Sequence, residues 1–150
     1  MKEFKSKTKL FELKKLQTDF PNVKITQTSE AFKFIRQFYG DDIEVFESVF
    51  IVLMNRANNT IGYAKISQGG IIGSVVDIKI ITKYALDTLA SGVILAHNHP
   101  SGNMTPSSAD KQITRKVKSA LNLIDVELLD HLIIHPNENR YYSFANEGEL

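Results

Sequence analysis

Hydrophobic and polar positions alternate along this chain with two different periods. Val49, Ile51 and Leu53 alternate with Phe50, Val52 and Met54, and both sets are apolar. A strand that is apolar on both sides sits inside a sheet covered on both faces, so Glu47 to Asn55 is predicted as a central strand. Asn58-Asn59 supplies turn chemistry, and Thr60 to Ser67 is expected to return as a second strand. Gly69-Gly70 then opens a loop. Val93 to Ala96 is a short apolar strand running into His97. Val126 to Ile134 and Arg140 to Phe144 read as closing strands, joined by the polar turn Pro136-Asn137-Glu138-Asn139.

Elsewhere the apolar spacing changes to three and four, the period of a helix. Thr28 or Ser29 is expected to cap a helix reaching about Tyr39, with Phe32, Ile35 and Phe38 or Tyr39 inward and Gly40 and Asp41-Asp42 as its breakers. A second helix is predicted from Asp77 or Lys79 to Ala90, with Ile81, Ala85, Leu86 and Leu89 as the inner stripe and Gly92 just past its end. A third runs from Ser107 to Asn122. Asp110 there is in register with Ile113, Val117, Ala120, Leu121 and Ile124. Met1 to Phe20 is expected to be a mobile or weakly helical lead. Helices interleaved with strands predict an α/β domain with a mixed sheet flanked by helices.

Composition narrows the chemistry. A chain of 150 residues, 43% hydrophobic, fits one domain with a sizeable core. It has no cysteine, which removes disulfides, iron–sulfur clusters and thiol nucleophiles, and leaves His, Asp and Glu to hold any transition metal. A formal net charge of +1 makes no general case for nucleic acid. The lysines that crowd the N-terminus (Lys2, Lys5, Lys7, Lys9, Lys14 and Lys15) read first as a flexible solvated end and second as a phosphate-binding arm. Met1 to Phe20 lacks the apolar core of a signal peptide. The longest fully apolar run, Val49 to Met54, is too short to cross a bilayer. The expected location is the cytoplasm, with no membrane partner.

The richest stretch is His97-Asn98-His99-Pro100-Ser101-Gly102, followed by Pro106-Ser107-Ser108-Ala109-Asp110. Histidines two residues apart on a strand lie on one side of it. Taken alone, Ser107 and Asp110 are more simply read as a helix cap and its reciprocal carboxylate. Asp110, however, heads the buried stripe of its helix, and a carboxylate pointing inward needs a partner. A cation bound by His97 and His99 would be that partner, and Pro100 and Gly102 turn the chain so that strand end and helix start converge. His97, His99 and Asp110 are thus the expected ligands of a catalytic Zn²⁺ with its fourth position open. The His-Glu-x-x-His, Pro-Cys-x-x-Cys and P-loop patterns are all absent.

His97-x-His99, seven residues, Ser107, two residues, Asp110 matches the JAMM motif. The chain resembles JAB/MPN-domain metalloproteins, and its longer wording resembles their bacterial RadC branch. Leu129-Asp130-His131-Leu132-Ile133-Ile134 and Tyr141-Tyr142-Ser143-Phe144 are similar to that branch's closing segments. The resemblance extends over roughly residues 44 to 150, and the chain is expected to divide into a Lys-rich lead over 1–24 and a RadC-like JAB/MPN metal-binding domain over 25–150. It implies a catalytic glutamate at the start of an early strand: Glu47, with Glu44 as its rival. It implies hydrolysis of peptide or isopeptide bonds by metal-activated water, with Glu47 as general base and the Ser107 hydroxyl on the developing oxyanion. Asp130 and His131 are candidates for supporting roles, His131 being read first as a packed strand residue, and His135 is expected to be exposed.

Three departures from the branch stand out. Gly69-Gly70 replaces its usual Gly-Thr, Ile78-Lys79-Ile80 replaces its usual Pro-Arg-Glu, and its usual helix-hairpin-helix region has no room here. The first two bear on substrate contacts. The third weakens the alternative of a DNA-repair-associated protein that binds DNA. A metal-stabilised interaction module without turnover is the remaining alternative, and the oligomeric state is left open.

Overall fold

The doubly apolar run after Glu47 forms β1 (Glu47–Met54), in which every residue from Ser48 onward is buried. The computed structural model describes residues 19–69 and 75–150. Before β1 come α1 (Thr28–Arg36) and a short 3₁₀ turn (Asp41–Glu44). After it come β2 (Thr60–Gly69), α2 (Ile78–Asp87), β3 (Gly92–Asn98), α3 (Ser108–Asn122), β4 (Glu127–Ile134) and β5 (Tyr141–Ser143). The strands form one sheet in the order β2-β1-β3-β4-β5. β3 and β4 are parallel, joined through α3, and the remaining neighbours are antiparallel. This is the mixed α/β architecture that the two periods predict.

The sheet's two faces carry separate cores. Phe50, Val52, Met54, Ile94 and Ala96 pack with Phe32 and Ile35 of α1. Val49, Ile51, Leu53, Val93 and Leu95 pack with Ile81 and Ala85 of α2 and Val117 and Leu121 of α3. Odd-numbered residues of β1 and β3 therefore face α3, and this parity extends to both strand ends. Val49 stands opposite His97. Glu47 and His97 thus emerge on the α3 side.

Helix ends depart from the sequence reading. Gln27, not Thr28 or Ser29, caps α1, and Glu30 reaches back to accept from the Gln27 N–H at 3.2 Å. The helix stops at Arg36, and Tyr39 is buried outside it, donating its hydroxyl to the Ser48 carbonyl at 3.1 Å. α2 is capped by Asp77, which accepts from the Lys79 N–H at 2.9 Å. It ends at Asp87, and Leu89 adopts a left-handed φ of 52°. Leu86 and Leu89, expected inside, are therefore 53% and 69% exposed. Gly92 is not a helix stop. It opens β3, where an added Cβ would lie 2.6 Å from Leu129 Cδ1 and 2.9 Å from Leu129 Cγ.

Most of the expected N-terminal lead lies outside the described residues. Its last part does not: Phe20 stacks on Tyr63 at 5.7 Å, and Val23 accepts from the Thr60 N–H and donates its own N–H to the Thr60 hydroxyl oxygen. Among the described residues no helix is long and apolar enough to cross a membrane.

Gly92→Ala tests the close approach of β3 to β4. Overpacking typically costs about 1–3 kcal/mol, and denaturant melts should read a loss in that range. Leu129→Ala added to it should restore part of the loss, because the two side chains occupy one space. Additive losses would contradict the packing described.

Candidate metal centre

β3, the middle strand of the sheet, carries His97 near its C-terminal end. Its seven residues, Gly92 to Asn98, are all buried, and His97 is 3% exposed. His99 follows immediately, half-buried, and Gly102 then turns the chain at φ +77°. The same glycine leaves room for His135, whose Nε2 would lie 2.9 Å from an added Cβ. His135 is accordingly half-buried rather than exposed, with Nδ1 accepting from the N–H groups of Asn137 and Glu138.

α3 enters from the other side. Ser107 is its cap, accepting from the Asp110 N–H at 3.1 Å, while Asp110 Oδ2 accepts from the Ser107 N–H at 2.7 Å. The capping box is real, and it coexists with a second task. Asp110 Oδ1 lies 3.2 Å from His97 Nε2, and Oδ2 lies 3.4 Å from His99 Nε2. The two Nε2 atoms are 2.9 Å apart. Ligand atoms of all three residues fall within 4.8 Å of one another.

Tautomers decide what this cluster wants. His99 Nδ1 contacts the Asn103 carbonyl oxygen. A carbonyl only accepts, so Nδ1 carries the proton and Nε2 of the neutral ring presents a lone pair. That lone pair faces another ring nitrogen and a carboxylate, an arrangement that calls for positive charge. The protonation equilibria say the same. Burial pushes Asp110 up, but donation from the His97 and His99 rings, once they carry a proton on Nε2, outweighs it and holds the carboxyl well below the usual range. Burial pushes His99 down, and its bonds to Asp110 and Asn103 reverse that, so the net shift is upward.

Glu47, Glu44, Ser107 and the three clustered residues line one cleft of about 1230 Å³. Glu47 is half-buried at the head of β1, with its charge among those acting on His99. Glu44 is exposed at the end of the 3₁₀ turn. Ser107 is exposed at the cleft wall.

Residues 25–149 match the model of the RadC-like JAB domain. This chain belongs to the RadC-like JAB family. It is 45% identical over 125 residues to a UPF0758 protein of Flavobacterium johnsoniae, covering 83% of this chain and 53% of that protein. It is 39% identical over 126 residues to one of Porphyromonas gingivalis, covering 84% and 54%. Against the UPF0758 protein YfjY of Escherichia coli it is 41% identical over 104 residues, covering 69% and 64%. The chain spans about half the length of the first two relatives.

Other residues of this JAB domain take roles the sequence reading left open or missed. Asp130 does not approach the cluster. It accepts from the Ser143 hydroxyl at 2.6 Å, the Ala145 N–H at 3.0 Å and the His131 N–H at 2.7 Å, tying β4 to β5. Burial nonetheless pushes its carboxyl up. His131 is a packed strand residue, stacked on Phe144 at 4.7 Å, and it also contacts His97 Nδ1 at 2.8 Å. Burial keeps its pKa well below the ordinary histidine value. Asn98 went unnoticed between the histidines. It faces away from them, and its side chain donates to the carbonyls of Ile43 and Phe46 at 2.7 and 2.9 Å. Its Oδ1 accepts from the Ser48 N–H at 2.8 Å. Asn98 therefore grips the backbone on both sides of Glu47. The signal was present: a polar residue at a fully buried position of an apolar strand must have partners.

Asn98→Ala should destabilise the domain by about 3 kcal/mol or more, since each buried group left unpaired costs about 1–3 kcal/mol. Asn98→Asp should be worse, because it sets a carboxylate against two carbonyl oxygens. Denaturant melts check both, and an aspartate variant as stable as wild type would refute the clamp.

Proposed function

We propose that this JAB domain is a zinc-dependent hydrolase that cleaves peptide or isopeptide bonds. The observation that carries the reading is the convergence of His97, His99 and Asp110 within 4.8 Å, in a cleft that also holds Glu47. The donor set fits zinc: two imidazoles and one carboxylate make a catalytic site with its fourth position open. Structural zinc is normally closed by four protein ligands, and the cluster among the described residues has three. That comparison favours turnover over an interaction module. The net charge of +1 gives no footing to duplex binding as the main activity.

Bound there, the metal would supply Lewis acidity, polarising a carbonyl and making water a nucleophile near neutral pH. The protein's residues do the rest. Glu47, on the same face as His97, takes the proton of the attacking water and returns it to the departing amine. The Ser107 oxygen accepts from the Asp110 N–H, which leaves its own O–H free to donate to the developing oxyanion. Asn98 holds Glu47 in register with the histidines through the Ser48 and Phe46 backbone. Val45 and Val75, 52% and 85% exposed on the cleft wall, offer apolar contact to side chains flanking the cut bond.

Zinc-loaded protein incubated with libraries of peptides and lysine-linked isopeptides, read by mass spectrometry, tests the proposal. Cleavage should fall about 100- to 10,000-fold in Glu47→Gln, because an amide does not accept the water's proton. Glu44→Gln should keep activity near wild type. No cleavage above the Glu47→Gln background would sink the assignment, and the reverse pattern between the two glutamates would move the base to Glu44.

A further inference from the structure

His131 and Thr114 form a polar pair inside an otherwise apolar layer between β4 and α3. They are 1% exposed each, and neither has a role in the chemistry above. Their hydrogen bonds have a direction that can be worked out proton by proton. Thr114 Oγ1 lies 2.7 Å from the Asp110 carbonyl oxygen and 2.6 Å from His131 Nδ1. A hydroxyl has one proton, and a carbonyl only accepts. Thr114 therefore donates to Asp110, and its oxygen accepts from His131 Nδ1–H. His131 is buried and has no carboxylate among its side-chain partners, so the ring is neutral and Nε2 carries a lone pair. His97 Nδ1, 2.8 Å away, must then be the donor to it. With a proton fixed on Nδ1, the neutral form of the His97 ring has its lone pair on Nε2, which faces His99 and Asp110.

We propose that Thr114 and His131 are positioning residues that fix the tautomer and ring orientation of His97, so that its Nε2 lone pair is presented to the metal. The proposal rests on reading His97 as a ligand. The chain of bonds returns to the neighbourhood of its start. It begins at His97, passes through His131 and Thr114, and ends on the backbone of Asp110, whose carboxylate meets His97 Nε2 from the other side. Three hydrogen bonds in series thus tie β3, β4 and α3 to the same point. The Phe144 ring, parallel to His131 within 8°, holds the imidazole plane against rotation. Partners of this kind behind a metal-bound histidine commonly change metal affinity by about 10- to 100-fold when removed.

Two substitutions at Thr114 separate this role from simple packing. Thr114→Ser keeps the hydroxyl and loses a methyl. Thr114→Val keeps the shape and loses the hydroxyl. Zinc affinity, measured by chelator competition, should stay within a few-fold of wild type in the serine variant and weaken about 10- to 100-fold in the valine variant. Valine at wild-type affinity with serine weakened would mean packing alone and overturn the proposal. A second readout needs no metal. Nitrogen-15 NMR of the metal-free wild type should find both His97 and His131 protonated on Nδ1, with His131 Nε2 bare. A His97 with an unprotonated Nδ1 overturns the proposal even if zinc binds. If that tautomer is found but zinc does not bind, the relay stands and the metal reading falls. The NMR arm also decides the case if the valine variant does not fold.

Discussion

The structure around the cleft depends on two imidazole nitrogens held 2.9 Å apart beside a buried carboxylate. With Nδ1–H committed to the Asn103 carbonyl, the neutral His99 ring presents a lone pair there. Lone pairs and a carboxylate at this distance repel unless a cation sits among them. In the metal-free chain protons answer the demand in part, which is why His99 is shifted up while Asp110 is driven far down. A divalent ion would answer it fully. The cluster is costly to assemble without a cation, and the surrounding fold must hold it together.

Two buried polar devices do that holding from opposite faces of β3. On the α1 side, Asn98 clamps the chain around Glu47. On the α3 side, His131 and Thr114 back His97. The alternation of a strand makes this division possible: His97 and His99 point one way, and Asn98, between them, points the other. A three-residue segment at a single strand end therefore sets both the proposed ligands and the register of Glu47. The parallel β3–α3–β4 crossover supplies the rest, bringing Asp110 and Thr114 of one helix turn over the strand that carries His131.

Much of this was legible in the residue pattern. β1 and the face parity follow from apolar alternation, and the His97, His99, Asp110 convergence follows from strand, turn and helix stripe. What escaped is what depends on distant partners. Nothing near Asn98 announces Ile43 and Phe46, more than 50 residues earlier in the chain. Thr114 was hidden because Ile113 and Val117 already satisfy the helical stripe. The ends of α1 and α2 were misplaced because caps such as Gln27 and a left-handed Leu89 are chosen by tertiary packing over local propensity. His135 was expected in solvent because its fit against Gly102 depends on a turn closing between two strand ends.

The most direct test of the account is metal stoichiometry. Protein stripped with a chelator, reloaded with zinc and desalted should carry close to one zinc per chain by elemental analysis. Asp110→Ala should carry almost none while remaining folded by circular dichroism. A folded wild-type protein that takes up no zinc, or an Asp110→Ala variant that holds as much as wild type, would contradict the assignment of the cluster.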